Sequence, residues 1–395
     1  MALQIRSFFA PANPPKNPDQ VFLRQGSEFY GEGIALRLST RGDNRIADLS
    51  EKFRELAASS QVDDQVKLPG SGLFGFVSIT FSPASEYESV VVIPARLTVI
   101  RDGVSFITEI AEVHASPERT QPSGVFLQGD QTSSGFKRAT QTAIEQIQNS
   151  ELEKVVLARD LVMPLTGEPD LQPAITRLYE RYPHCWTYLV EGNFGASPEL
   201  LLRAESGEVS ARVLAGTAGR GTDPDVDRAI AEGLKHSIKN QHEHAFAVES
   251  LKETLGQVCE NLETDAEPFS LALPDLWHLA TDVRGKLKPG VTLLDAVSYL
   301  HPTAAVAGTP RQLAQQVIAE LEPFDRGGYA GPVGWISAAG SGELAIALRG
   351  GRLEREPQLQ IRAFAGCGIV AESDPDAELA ETELKFKAVR YAFDR

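Results

Sequence analysis

The sequence predicts an α+β protein built on large, mostly antiparallel sheets wrapped by helices, and three observations carry that prediction. Runs rich in β-branched and aromatic residues recur, among them 72–82 (GLFGFVSITFS) and 90–100 (VVVIPARLTVI). Strand, turn, strand units follow near the C-terminus, at 328–336 (GYAGPVGWI) with 343–348 (ELAIAL), and then a Gly-punctuated strand at 360–370. Helical periodicity interleaves with these runs irregularly, with no fixed period of the kind that marks a repeat array.

Taken in order, residues up to about 145 read as strands and turns with few reactive groups, the pattern of a scaffold. A helix is expected over 135–150, a β-like segment over 154–157 and a helix over 174–182. One long helix is expected from Asp225 through about Leu262, opened by Asp223-Pro224-Asp225. Another runs from Asp374 to Asp394, again opened by Asp-Pro-Asp, because Pro tolerates the first helical turn and Asp caps it.

With 42% hydrophobic and 23% charged residues over 395 positions, the chain has the composition of a folded globular protein with a large core. Lys and Arg number 38 against 54 Asp and Glu, a net charge of −16, which is the wrong sign for a nucleic-acid partner. The same excess repels a small dianion unless Arg, Lys or a bound cation reverses the potential locally. Cys185, Cys259 and Cys367 are too scattered for a disulfide framework or a cysteine zinc site. They fit a reducing compartment, and with no long apolar run a cytoplasmic protein off the membrane is expected.

Three motif-like strings carry little. Gly70, Gly72 and Gly75 form G-x-G-x-x-G, yet the string leads into an extended apolar run where a dinucleotide site needs a helix N-terminus. His242-Glu243-His244 lacks the i, i+4 pair of a metalloprotease, so its histidines read as helix-surface groups. Gly219-Arg220-Gly221 lacks the Lys-Ser/Thr ending of a phosphate loop and reads as a tight turn.

A denser constellation lies at the C-terminus. Glu378, Glu381 and Lys385, spaced three and four apart, put two carboxylates and an ammonium on one helix face. Alone, that face is a solvated salt-bridge ladder. Just upstream, Gly366 and Gly368 alternate in a strand that ends at the helix start, where backbone N–H groups can approach an anion. Glu199, between Pro198 and Leu200-Leu201-Leu202, is a carboxyl set for desolvation, which raises its pKa and suits it to donate a proton.

The segments GASPELLLR, LAGTAGRG, HPTAAVAGTPR, FDRGGYAGPVGW, ELAIALR and AGCGIVAESDPDAELAETELK resemble, in order, those of the chorismate-utilising enzymes, the family of anthranilate, aminodeoxychorismate, salicylate and isochorismate synthases. The resemblance covers roughly 146–395 and leaves 1–145 as a variable N-terminal portion of a single domain. It implies the anthranilate synthase component I fold, two large antiparallel sheets packed face to face and flanked by helices, with one Mg²⁺ in a cleft. It also implies Glu243 and Glu381 as Mg²⁺ ligands, with Glu378 direct or through water; Asn240 stands where some relatives have a further Glu. Arg349 and Lys385 would pair with the enolpyruvyl carboxylate of chorismate, helped by Tyr329 and the backbone at Gly366 and Gly368. Gly216 and Thr217 would face the ring carboxylate, and His278 the C4 hydroxyl or that carboxylate. A monomer is expected.

Within the family, members that add water resemble this chain in having Lys at the position of Lys154 in LEKVVLARD. Lys154 as general base for water attack at C2, with Glu199 as general acid for the departing C4 hydroxyl, is the implied pair. Ala215 replaces the nucleophilic Lys of aminodeoxychorismate synthases, which removes a covalent route. Ala305 and Val306 match the isochorismate synthase form, whereas salicylate synthases, which also eliminate pyruvate, tend to carry Thr near Ala305. A chorismate-binding sensor without turnover is disfavoured by the presence of both Lys154 and Glu199.

Overall fold

The structure is a computed structural model that describes residues 2–114 and 119–394, apart from the side chains of 239, 242 and 243. Among the described residues the strands form a 13-stranded and a 10-stranded sheet, antiparallel except where Gln4–Phe9 runs parallel to Gln61–Asp64. In the first sheet Lys154–Pro164 pairs with Gln360–Ile369, and the order continues through Gly350–Glu354, Asn193–Ser197 and Trp186–Val190 to Gln20–Arg24. In the second, Glu208–Gly219 lies between Leu276–Leu287 and Leu200–Glu205, and Pro332–Ser337 joins Phe74–Ser78. Residues 1–145 and 146–395 therefore contribute strands to both sheets.

The inner faces meet through aromatic side chains. Phe22, Phe29, Trp186 and Tyr188 of the first sheet pack on Phe74, Phe76 and Trp335 of the second. Phe29 stacks on Trp335 with ring centroids 4.5 Å apart. Fully burying such a side chain stabilises the fold by roughly 1.5–3 kcal/mol each, so this layer is what holds the sheets face to face.

Helices α1 (Arg45–Ser59), α2 (Ser133–Asn149), α3 (Gln172–Arg181), α4 (Pro224–His236), α5 (Ile238–Leu255), α6 (Leu293–Leu300), α7 (Arg311–Leu321) and α8 (Pro375–Phe393) cover the outer faces. Ile175 and Leu178 of α3 and Phe386 and Val389 of α8 seal the first sheet. Helices α1 and α6 seal the second, with Leu49, Phe53, Leu293 and Val297. Asp374 caps α8 by accepting from the amides of Asp376 and Ala377, the role its Asp-Pro-Asp start signal implies.

Three elements differ from the sequence reading. Helix α1 interrupts the strands of the N-terminal portion; its buried Ile46, Leu49, Phe53 and Leu56 recur at spacings of three and four. The run 90–100 is two strands in different sheets, Ser89–Ile93 and Arg96–Arg101, because Pro94 has no amide to continue a ladder. The helix expected from Asp225 to Leu262 breaks at Ser237, which is extended (ψ 114°) and whose hydroxyl accepts from the Asn240 amide, starting α5. Its last part is a strand, Cys259–Thr264.

Candidate active site

A cavity of about 730 Å³, counted to its open mouth, lies where Lys154–Pro164 and Gln360–Ile369 of one sheet face Glu208–Gly219 and Leu276–Leu287 of the other, with α8 at its side. The cavity gathers Lys154, Glu199, Gly216, Thr217, His278, Ala305, Val306, Tyr329, Arg349, Gly366, Gly368, Glu381 and Lys385, drawn from segments spread over more than half the sequence. Glu378 is not among the lining residues, and the side chain of Glu243, on α5, lies outside the described residues. Ala215 lines the wall, so no amine occupies that position.

Glu199 is 6% exposed. Burial pushes its carboxyl up to about 8, against the pull of Arg349, Lys154 and Lys385, so it carries its proton at neutral pH. The sequence basis is local: Pro198 ends one strand, and the apolar Leu200–Glu205 that follows draws Glu199 inward. Lys154 opens its strand and is near enough for its charge to act on Glu199.

Gly216 has φ +81° at the point where the pairing of Glu208–Gly219 with Leu276–Leu287 shifts register. That left-handed bulge is open to glycine and turns the backbone toward His278. His278 is buried; desolvation, with Arg349 and Lys385 adding to it, lowers its pKa to about 3, so the ring is neutral. Its Nδ1 lies 3.3 Å from the Gly216 carbonyl and 3.1 Å from the Thr217 hydroxyl, while Nε2 lies 3.2 Å from Arg349 Nη2. A guanidinium only donates, so Nε2 accepts, and Nδ1 carries the proton. Arg349 itself has φ +52°, a conformation that costs a non-glycine residue about 1–3 kcal/mol and that marks a side chain held in place by its surroundings.

On α8, Lys385 Nζ bonds Glu381 Oε1 at 2.6 Å and the Gly366 carbonyl at 2.7 Å. Burial raises the Glu381 carboxyl, but Lys385, with Arg349, outweighs it and the net shift is downward, leaving a carboxylate. Glu378, one turn earlier, is shifted upward by burial and by the Glu381 charge, and donation by the Ser373 hydroxyl (2.7 Å) only partly offsets this. A Cβ at Gly366 would stand 3.2 Å from Tyr329 Oη and 2.9 Å from the Leu157 carbonyl, so glycine there admits the tyrosine to the cavity wall. Tyr329 stacks on Phe364 at 4.9 Å.

The carboxylates fit a hard cation. Glu378 and Glu381 are half-buried carboxyls, the charge of Glu381 raising Glu378, and a divalent ion held by them would relieve that repulsion; their all-oxygen chemistry suits Mg²⁺. Among the described residues no cluster of three or more His, Cys, Asp or Glu assembles.

Sequence reasoning overlooked Arg326 in the cavity wall, although it stands in the quoted FDRGGYAGPVGW, because its contacts are to backbone atoms of distant segments. It also placed His244 on a helix surface. His244 is 2% exposed, with Nε2 2.7 Å from the Thr281 hydroxyl, since α5 packs that face against Leu276–Leu287.

A cleft in which Lys154, Arg349 and Lys385 surround a neutral carboxyl and a carboxylate, inside a protein of net charge −16, defines a binder of small polyanions. Residues 93–394 match the family of chorismate binding enzymes, and the chain belongs to that family. It is 32% identical over 399 residues to the salicylate biosynthesis isochorismate synthase of Pseudomonas aeruginosa, covering 92% of this chain and 82% of that one. It is 35% identical over 254 residues to isochorismate synthase MenF of Bacillus subtilis, covering 63% of this chain. The chain spans 53% of the length of that relative and 64% of the Aeromonas hydrophila one. The fold is similar to that of the menaquinone-specific isochorismate synthase MenF of Escherichia coli, with TM-score 0.80 at 23% identity, over 99% of this chain and 95% of that one. Among the described residues no helix is long and apolar enough to cross a membrane.

Proposed function

We propose that the protein is an isochorismate synthase, which converts chorismate to isochorismate reversibly. The observation that carries this reading is the meeting of Lys154 and a proton-bearing Glu199 in one cavity lined by cations. Lys154, reacting as the free amine, takes a proton from water as its oxygen bonds to C2. The two ring double bonds shift, the C4–O bond breaks, and Glu199 gives its proton to the departing hydroxyl, which leaves as water. Arg349, aimed by His278, and Lys385 bind the enolpyruvyl carboxylate, with Tyr329 and the backbone at Gly366 and Gly368 beside it. Gly216 and Thr217 face the ring carboxylate, and Ala305 and Val306 shape the wall.

Mg²⁺ held by Glu381, Glu378 and Glu243 would anchor the ring carboxylate and neutralise its charge. Glu381→Ala is expected to raise the Mg²⁺ concentration needed for half-maximal thermal stabilisation by at least about tenfold, and an unchanged titration would remove Glu381 from the ligand set. The reading includes a monomer in the cytoplasm, supported by three buried, free cysteines that suit a reducing setting.

Purified protein given chorismate and Mg²⁺ should form isochorismate, and given isochorismate should form chorismate. Neither glutamine nor ammonia should be needed. Stoichiometric pyruvate would instead make it a salicylate synthase, and tight binding with no spectral change would make it a sensor.

A further inference from the structure

The mechanism above leaves one buried ion pair in the cavity wall without a task. Arg326 and Glu322, with side chains 3% and 2% exposed, pair at 2.5 Å and 2.8 Å. Replacing such a pair by apolar residues of similar size is often neutral or stabilising, so stability alone is a poor account of it. Where its remaining hydrogen bonds go is more informative.

The strand Lys154–Pro164 has Gln360–Ile369 along one edge, but its other edge is served by short pieces. Gly308–Thr309 pairs with Lys154 and Val155, and Leu127–Gln128 pairs with Leu161 and Val162. Between them the ion pair takes the place of a strand. Arg326 Nη2 donates to the Val156 carbonyl at 2.7 Å, and Glu322 Oε1 accepts from the Ala158 amide at 2.7 Å. The second guanidinium arm, Nη1, donates to the Val306 carbonyl at 3.0 Å. One planar group therefore ties the base-bearing strand to the 303–309 segment across the cavity wall. It is itself clamped, 4.3 Å from the Phe81 ring centroid and 5.9 Å from that of Tyr329.

We propose that the Glu322–Arg326 pair is a positioning element that sets Lys154 against the wall formed by Ala305 and Val306. Lys154 and Val156 both line the cavity, as residues two apart on a strand share a face, so holding the Val156 carbonyl fixes the direction from which the amine meets water. A fork geometry is required: a guanidinium reaches two carbonyls and a carboxylate in one plane, and an ammonium does not. The inference rests on the isochorismate synthase reading and adds two residues to it.

The test compares wild-type protein, Arg326→Lys and the double variant Glu322→Leu/Arg326→Met, by melting temperature and by steady-state kinetics with chorismate. The double variant should melt within a few degrees of wild type and keep KM within about threefold, yet lose about 10²-fold in kcat, the scale of an ångström-sized misplacement. Arg326→Lys, which keeps the charge facing Glu322, should lose about tenfold in kcat with KM little changed. Hydrogen exchange at the Ala158 amide should accelerate in the double variant. A folded variant with kcat within threefold of wild type overturns the proposal. Should only Arg326→Lys fold, its kinetics decide; should neither fold, the pair is a stability element and the proposal fails. Wild-type protein that makes no isochorismate fails the functional reading instead, and that control is read first.

Discussion

Replacing Lys154 with alanine is expected to lower kcat by about 10²–10⁴-fold, the usual contribution of a positioned general base. Chorismate should still bind, because Arg349, Lys385 and the backbone about Gly216 and Gly366 remain in the cavity. Near-wild-type turnover would reject Lys154 as the base.

Glu199→Gln should be equally damaging to the rate, since an amide holds a similar shape but has no proton to give a departing hydroxyl. Wild-type activity should accordingly fall as pH rises through about 8, where the buried acid loses its proton. Stability should fall in the same direction, but over a lower pH window. Below the ordinary carboxyl pKa of about 4.5 the folded and unfolded chains both keep this proton, and the folded state is at its most favourable. Between there and about 8 the unfolded chain releases the proton while the folded chain retains it, so wild type loses stability progressively. Above that window the loss is complete, about 5 kcal/mol on the linkage scale of 1.36 kcal/mol per unit. Glutamine does not titrate. Denaturant unfolding at pH 4 and at pH 9 should therefore show the glutamine variant gaining on wild type by that order, and a difference that is flat with pH would contradict the burial of Glu199.

Glu199 was legible in the sequence because its signal is local: a proline before it and three leucines after it dictate both its turn and its desolvation. The α8 face was legible for the same reason, helical spacing fixing Glu381 and Lys385 into their 2.6 Å contact. Spacing does not say what each carboxylate meets, and Glu378 turned out to accept from Ser373 rather than line the cavity. The helix α1 was within reach, since its apolar residues recur at three and four, but the surrounding β-rich runs obscured it. The break at Ser237 was not, because the helical pattern continues on both sides and only the cap geometry ends it. Arg326 was beyond reach: its backbone partners at 156 and 306 are brought together only by the sheet edge, and no periodicity records a side chain that stands in for a strand.

In the proposed reaction solvent oxygen enters at C2 while the original C4 oxygen departs. Conversion of chorismate in water enriched in ¹⁸O, with the product analysed by mass spectrometry early in the reaction, distinguishes this from every alternative. One ¹⁸O per isochorismate, located at C2, is the predicted result; an unlabelled product would mean that the hydroxyl migrates within the cavity, and Lys154 would have no water to activate.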